Sequence, residues 1–312
     1  MKARSVFVYT MLIFFFFVLK TESKDYKLYY LGGQSNMDGY GLVKELPPEL
    51  NTVLKGVMIF HGSKRKDDEP AEGKGIWTEL RPGHGGDFKS DGITNTYSEE
   101  FGPELTFAST LQQLDTNSNI AIIKYSKGGT SIGLTAGGRY GTWDPDYNLS
   151  NGINQYDHFL ATLRNALAVK DIDGDGEEDT LIPTGIVWMQ GESDGASGFE
   201  VAKVYEENLK RLMDLIRAAL HSDDLPVVIG RISESGQDEK NGKVWNYGET
   251  IRASQREFVK KDANAALVTA TDNYGYSDKY HYDSAGFIEL GKEFAKAMYN
   301  LQSKISLSKE RK

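Results

Sequence analysis

Cysteine is absent from all 312 residues, which excludes a disulfide framework and a lipid-modified cysteine and leaves the fold to be held by its core alone. No apolar run reaches the roughly 18 residues that a membrane-spanning helix needs. The longest, Val6–Leu19, stops short of that. Basic clusters are missing too, and 45 Asp and Glu against 36 Lys and Arg give a formal charge of −9. A surface of that sign makes nucleic acid and anionic membrane poor partners. No internal repeat is visible.

What is present begins with an export signal. Lys2 and Arg4 precede the apolar run, and a polar stretch with Thr21 and Ser23 follows it, the pattern of a secretory signal peptide. Cleavage is expected after Ser23, with an uncleaved anchor the lesser expectation. The product would be secreted or periplasmic, carry a formal charge of −11 and span residues 24–312, a length that suits one large α/β domain.

Short apolar segments at Tyr26–Leu31, Val57–Phe60, Ile120–Tyr125, Thr184–Met189, Val227–Ile232 and Ala266–Ala270 read as strands. The later ones are nearly continuous in hydrophobicity, as parallel strands covered on both faces are. Helical spacing appears at Tyr156, Phe159, Leu160, Leu163 and Leu167, and again at Phe287, Leu290, Phe294, Met298 and Leu301. The alternation predicts a three-layer α/β/α sandwich with a mostly parallel sheet. Two segments, Gly62–Tyr97 and Ser126–Asn154, read as long loops. Loops of that length are usually functional, and their Trp77, Arg81, Arg139, Tyr140 and Trp143 are candidates for stacking on sugar rings, or else for anchoring the loops.

Ligands of open α/β sheets bind beyond the carboxyl ends of the strands. Four clusters fall at such ends: Gly-Gly-Gln-Ser-Asn at 32–36, Lys-Gly-Gly-Thr-Ser at 127–131, Gln-Gly-Glu-Ser-Asp at 190–194 and Asp-Lys-Tyr-His-Tyr at 278–282. Asp278, three residues before His281, can accept from the imidazole Nδ1–H and leave Nε2 free as a base. Ser35 follows a glycine turn that would present its Oγ, while its own N–H points at an oxyanion. A glycine N–H, from Gly129 or Gly128, and the side-chain amide of Gln190 are expected to complete the oxyanion hole. Gln34, Asn36, Gly128 and Glu192 are expected beside the substrate, with Glu192 and Asp194 also read as structural hydrogen-bonding groups. Arg139 and Trp143 are the loop candidates for substrate contact.

These blocks resemble the SGNH-hydrolase superfamily and, within it, the sialate O-acetylesterase-like and carbohydrate esterase family 6 branch. The likeness runs from about Tyr26 to Leu301. It implies an SGNH-type, flavodoxin-like fold, a Ser35–His281–Asp278 triad, no cofactor for catalysis, and an acetylated carbohydrate as substrate, such as xylan or O-acetylated sialic acid. Gln190 would stand where the broader superfamily offers an asparagine. Phe-Gly-Pro-Glu at 101–104 also matches the branch, with Glu104 read as structural. Two rival readings are a glycan-binding protein that keeps the scaffold without catalysis and an esterase acting on lipids or short-chain esters.

A second pattern is independent of these. Asp171, Asp173, Asp175 and Asp179 follow a 1, 3, 5, 9 spacing with Gly176 at the bend, which wraps oxygens round a hard cation. Ile182 takes the twelfth position, where an EF-hand carries its bidentate Glu. A structural calcium is the expectation there, a solvated acidic turn the alternative.

Overall fold

The computed structural model describes residues 23–64, 69, 71–138, 140–148 and 152–310. The signal peptide expected at 1–23 lies outside them except for Ser23, and so does Arg139.

In β1 (Asp25–Gly33) every residue from Leu28 onward is buried. Alternate side chains of a strand face opposite sides. Tyr29 therefore meets Phe107 of helix α2 (Glu104–Leu114), ring centroids 5.3 Å apart, whereas Tyr30 meets Phe159 of α3 (Gln155–Leu167) at 4.7 Å. A strand apolar on both faces thus acquires a helical layer on each. Burying each such side chain contributes about 1.5–3 kcal/mol.

The other strands of the central sheet are β2 (Leu54–His61), β3 (Trp77–Leu80), β4 (Asn119–Ser126), β5 (Thr180–Met189), β6 (Val227–Gly230) and β7 (Ala265–Val268). Their order is β7-β6-β5-β1-β4-β2-β3, parallel throughout except for β3, which runs antiparallel to β2 at one edge. The chain starts in the middle, builds outward on one side, then crosses to the other. The crevice between the β4 and β5 ends, above β1, is therefore a topological switch point, where α/β sheets bind ligands.

All six strands expected from the sequence are present. β3 falls inside the segment Gly62–Tyr97, which the sequence predicts to be loop; at four residues and half buried, it is too short and too polar to show a period. A two-stranded ladder, Lys89–Ser90 with Asn95–Thr96, adds further order to that segment. The helical spacings are realised in α3 and in the last helix, Ser284–Glu310, where Phe287, Leu290, Phe294 and Met298 are fully buried. Asn154 caps α3, its side chain accepting from the Tyr156 and Asp157 N–H groups. No helix among the described residues is long and apolar enough to cross a membrane.

Candidate active site

β1 ends at Gly33 with φ +143°, and a Cβ there would lie 2.0 Å from the Met189 carbonyl oxygen of β5. Only glycine fits, by conformation and by space alike. The Gln34 N–H then donates to that same carbonyl at 2.9 Å, and the chain turns into α1, Ser35–Asp38, all of it buried. Beneath the turn lies Lys124 of β4, whose wholly buried ammonium donates to the Asp38 and His84 carbonyls, each at 2.8 Å, and to Glu104 Oε2 at 2.7 Å. Asp38 itself accepts from Lys64 Nζ at 2.6 Å, Ser126 Oγ at 2.7 Å and the Gly128 N–H at 2.8 Å. Burial pushes its carboxyl up, but the lysine and hydroxyl partners prevail and hold it below the usual range.

His281 arrives from the other end of the chain, on the loop before the last helix. Asp278 Oδ1 accepts from the Tyr280 and His281 N–H groups at 2.7 and 2.8 Å, closing a tight turn, while Oδ2 lies 2.8 Å from His281 Nδ1. Burial alone would raise the Asp278 carboxyl; the imidazole and the two backbone donors outweigh it and keep it low. A carboxylate on Nδ1 keeps the proton there and leaves Nε2 as the basic nitrogen. Tyr40 stacks on the imidazole, ring centroids 4.0 Å apart and planes 11° from parallel.

Ser35 and His281 line one cavity of about 550 Å³, together with Gln34, Asp38, Tyr40, Lys64, Lys127, Gly128, Gly129, Tyr140, Ser193, Trp245 and Tyr280 among others. Its rim is aromatic, with Trp245 and Tyr280 at 5.6 Å between ring centroids. A second cavity of about 460 Å³ reaches Phe88, Lys89 and Ser90 and shares Lys64, Gly86, Asp87 and Lys127 with the first, so the cleft is longer than its reacting end.

Of the three residues the sequence suggests as oxyanion donors, Ser35 and Gly129 line the first cavity and Gln190 does not. Gln190 is fully buried, and its amide donates to Asp194 Oδ2 at 2.6 Å, to the Thr130 carbonyl at 3.1 Å and to Gln34 Oε1 at 3.2 Å. The cause is Asp194, a buried carboxyl four residues on that also holds the Ile132 and Gly133 N–H groups and is itself pushed up to about 6 by burial. Oε1 of Gln34 accepts from Gln190, Gly191 and Ser193, and Gln34 itself lines the cavity. Gly128 has given its N–H to Asp38, whereas the N–H groups of Ser35 and Gly129 donate no hydrogen bond among the described residues. Gly129 has φ +74°, which turns the backbone in a way other residues resist.

Three residues expected beside the substrate do not line this cavity. Trp143 is fully buried, its indole N–H bonded to Thr130 Oγ1 at 3.0 Å and its ring packed on Tyr125 and Trp188; a large apolar ring on a polar loop is drawn into the core and ties the loop down. Glu192 and Asn36 are each 2% exposed and hydrogen-bonded to one another at 2.8 Å, beneath the cavity floor. Trp77 anchors its segment as well, through a 3.0 Å bond to the Ala166 carbonyl. Tyr140 does reach the cleft. Trp245 and Tyr40 lie there unforeseen: no pattern marks the irregular stretch holding Trp245, whereas Tyr40 and Asp38 follow so closely on the serine block that their position alone was a signal.

In the acidic loop, oxygens of Asp171, Asp173 and Asp179 lie within 4.8 Å of one another. Asp171 accepts from the Gly174 and Gly176 N–H groups and Asp179 from that of Ile172. The Lys24 ammonium bonds to both Asp173 and Asp175, so a cation of the chain already balances part of this charge.

The family model for carbohydrate esterase, sialic acid-specific acetylesterase matches residues 25–300. Among solved structures, a protein from Arabidopsis thaliana aligns with TM-score 0.61 and 20% identity, covering 89% of this chain and 99% of its own. A carbohydrate acetylesterase from Xanthomonas citri gives TM-score 0.61 at 16% identity over 89% of this chain, which spans 56% of that one. NanS gives 0.58 at 16% identity, with 91% and 100% covered. At these identities the structures share the fold. No curated protein matches the chain.

Proposed function

Since the chain belongs to the carbohydrate esterase, sialic acid-specific acetylesterase family and is a carbohydrate acetylesterase, we propose that Ser35, His281 and Asp278 carry out the hydrolysis. The observation that carries this reading is that Ser35 and an Asp278-bonded His281 line one cavity at the sheet's switch point. Ser35 Oγ passes its proton to His281 Nε2 as it attacks the acetyl carbonyl. The N–H groups of Ser35 and Gly129 and the Gln34 amide receive the charge that develops on the carbonyl oxygen. As the ester C–O bond breaks, Nε2 returns the proton to the departing sugar oxygen. Water then enters, gives its proton to Nε2 and attacks the acyl-enzyme, releasing acetate and restoring Ser35. Asp278 holds the imidazole and stabilises its charged form; these steps draw on no cofactor.

The substrate is an acetylated sugar whose ring stacks on Trp245, Tyr280 and Tyr140, with export placing the enzyme where such glycans lie. Ser35→Ala should lower the rate on a chromogenic acetate ester by about 10⁴-fold or more with the circular dichroism spectrum unchanged. Activity equal to wild type would reject Ser35 as the nucleophile. An N-terminal sequence beginning at Lys24 in exported protein checks the leader.

The donor set of Asp171, Asp173 and Asp179 also fits a hard cation. We assign calcium there a structural role, in competition with Lys24 for Asp173.

A further inference from the structure

Ser35 and His281 stand far apart in the chain, and nothing in the Asp278 turn alone sets their separation. One side chain spans it. Asn36, next to the nucleophile and 2% exposed, donates through Nδ2 to the Tyr280 carbonyl at 3.3 Å and accepts through Oδ1 from the Tyr282 N–H at 3.4 Å. Those two groups flank His281 on either side. The same Nδ2 donates to Glu192 Oε1 at 2.8 Å, and Glu192, at the start of helix α4 (Glu192–Ser197), is 2% exposed with its Oε2 buried and unpartnered among the described residues.

We propose that Asn36 is a positioning residue that rivets the histidine loop to the nucleophile turn, and that Glu192 sets the direction in which its amide points. The inference rests on the reading of Ser35 and His281 as the reacting pair. With Glu192 and the Tyr280 carbonyl as acceptors on one side and the Tyr282 N–H as donor on the other, only one orientation of the amide satisfies all three. The reversed amide sets oxygen against oxygen and N–H against N–H. Neither residue lines the cavity, so neither touches the substrate; their effect runs through the distance between Oγ and the imidazole. Asp278 bonds to that imidazole, Tyr40 stacks on it and the charges of Glu100 and Glu192 reach it; among the described residues, Glu192 alone of these four hydrogen-bonds to a side chain of the 35–38 turn other than Asp38.

The test uses the full-length protein, with kcat and KM on a chromogenic acetate ester and the rate at which a fluorophosphonate labels Ser35. Asn36→Ala should lower kcat about 100-fold, leave KM near that of wild type and slow labelling by a similar factor, as displacing reacting groups by about 1 Å does. Asn36→Asp, which fills the same space but turns an oxygen toward Glu192 and Tyr280, should do no better than Asn36→Ala. Glu192→Gln, which keeps the acceptor, should recover most of the kcat that Glu192→Ala loses, and this pair serves where Asn36→Ala fails to fold. Wild-type kcat and labelling in Asn36→Asp, or Glu192→Gln no better than Glu192→Ala, overturns the proposal alone. A wild type that is neither labelled nor active overturns the Ser35 reading and this proposal with it.

Discussion

The two halves of the candidate site are held by different means. The nucleophile turn is buried from Ser35 to Asp38, hemmed in by a glycine that cannot be replaced and tied down by two lysine–carboxylate pairs, Lys124 with Glu104 and Lys64 with Asp38. The histidine loop is more exposed: its Asp278 side chain is 52% exposed, and the three bonds Asp278 makes there lie within four residues. The first half is therefore part of the core's stability, whereas the second should cost little to disturb and is proposed to matter through chemistry. Substitutions should separate the two, with losses of stability on one side and losses of rate on the other.

Asp278→Asn should show the largest effect, lowering kcat by about 10⁴-fold because the imidazole loses the carboxylate that holds its tautomer and balances its charge. The melting temperature should move little; a large drop would mean that the loop is structural after all. Lys124→Met is the converse. It leaves Glu104 charged and buried, deprives the Asp38 and His84 carbonyls of their donor, and should cost about 3–5 kcal/mol in denaturant unfolding. Unchanged stability there would show that the turn does not depend on the ion pair.

A smaller effect is expected from pH. His61 and His84 are buried beside Lys124, each with an Nε2 lacking a partner among the described residues, and burial, then the lysine, holds both well below the ordinary imidazole value. The unfolded chain takes up protons there that the folded one refuses, so stability is present above about pH 6.5 and is lost as pH falls below it. Asp194, raised to about 6, acts in the opposite sense, since it binds a proton more readily folded than unfolded. Glu100, Glu192 and Glu234, raised by burial as well, act in the same sense as Asp194, so the histidines' share is read from a comparison. The change in melting temperature from pH 7 to pH 5 should be less destabilising in His84→Phe than in wild type; an equal slope in the variant would remove the histidines from the account. Calcium should have the smallest effect, raising the melting temperature by a few degrees without changing kcat, since the loop touches neither half of the site. Calorimetry with calcium and with chelator decides it, and identical curves would mean that Lys24 alone balances the carboxylates.

The fold and the placement of Ser35, Asp278 and His281 at strand ends could be read from the sequence because each depends on local pattern. Continuous apolar runs with helical spacing between them specify a parallel sheet covered on both faces, Asp-x-x-His closes its own turn, and Gly-Gly before Ser35 answers a steric demand at the strand's end. Trp143 and Gln190 could not be read in this way. A tryptophan on a polar loop looks alike whether it faces sugar or core, and an amide after a strand looks alike whether it meets an oxyanion or a buried Asp194. Those choices were made by how the fold buries Asp194 and brings Thr130, sixty residues away, alongside in Gln190's case, and by the neighbouring rings in Trp143's. The sequence by itself thus determined the sheet, the Asp278–His281 pair and the turn at Ser35. Only the tertiary structure decided which donors face the cavity and how Asn36 joins the two ends of the chain, because hydrogen-bond direction is set by whatever packs alongside.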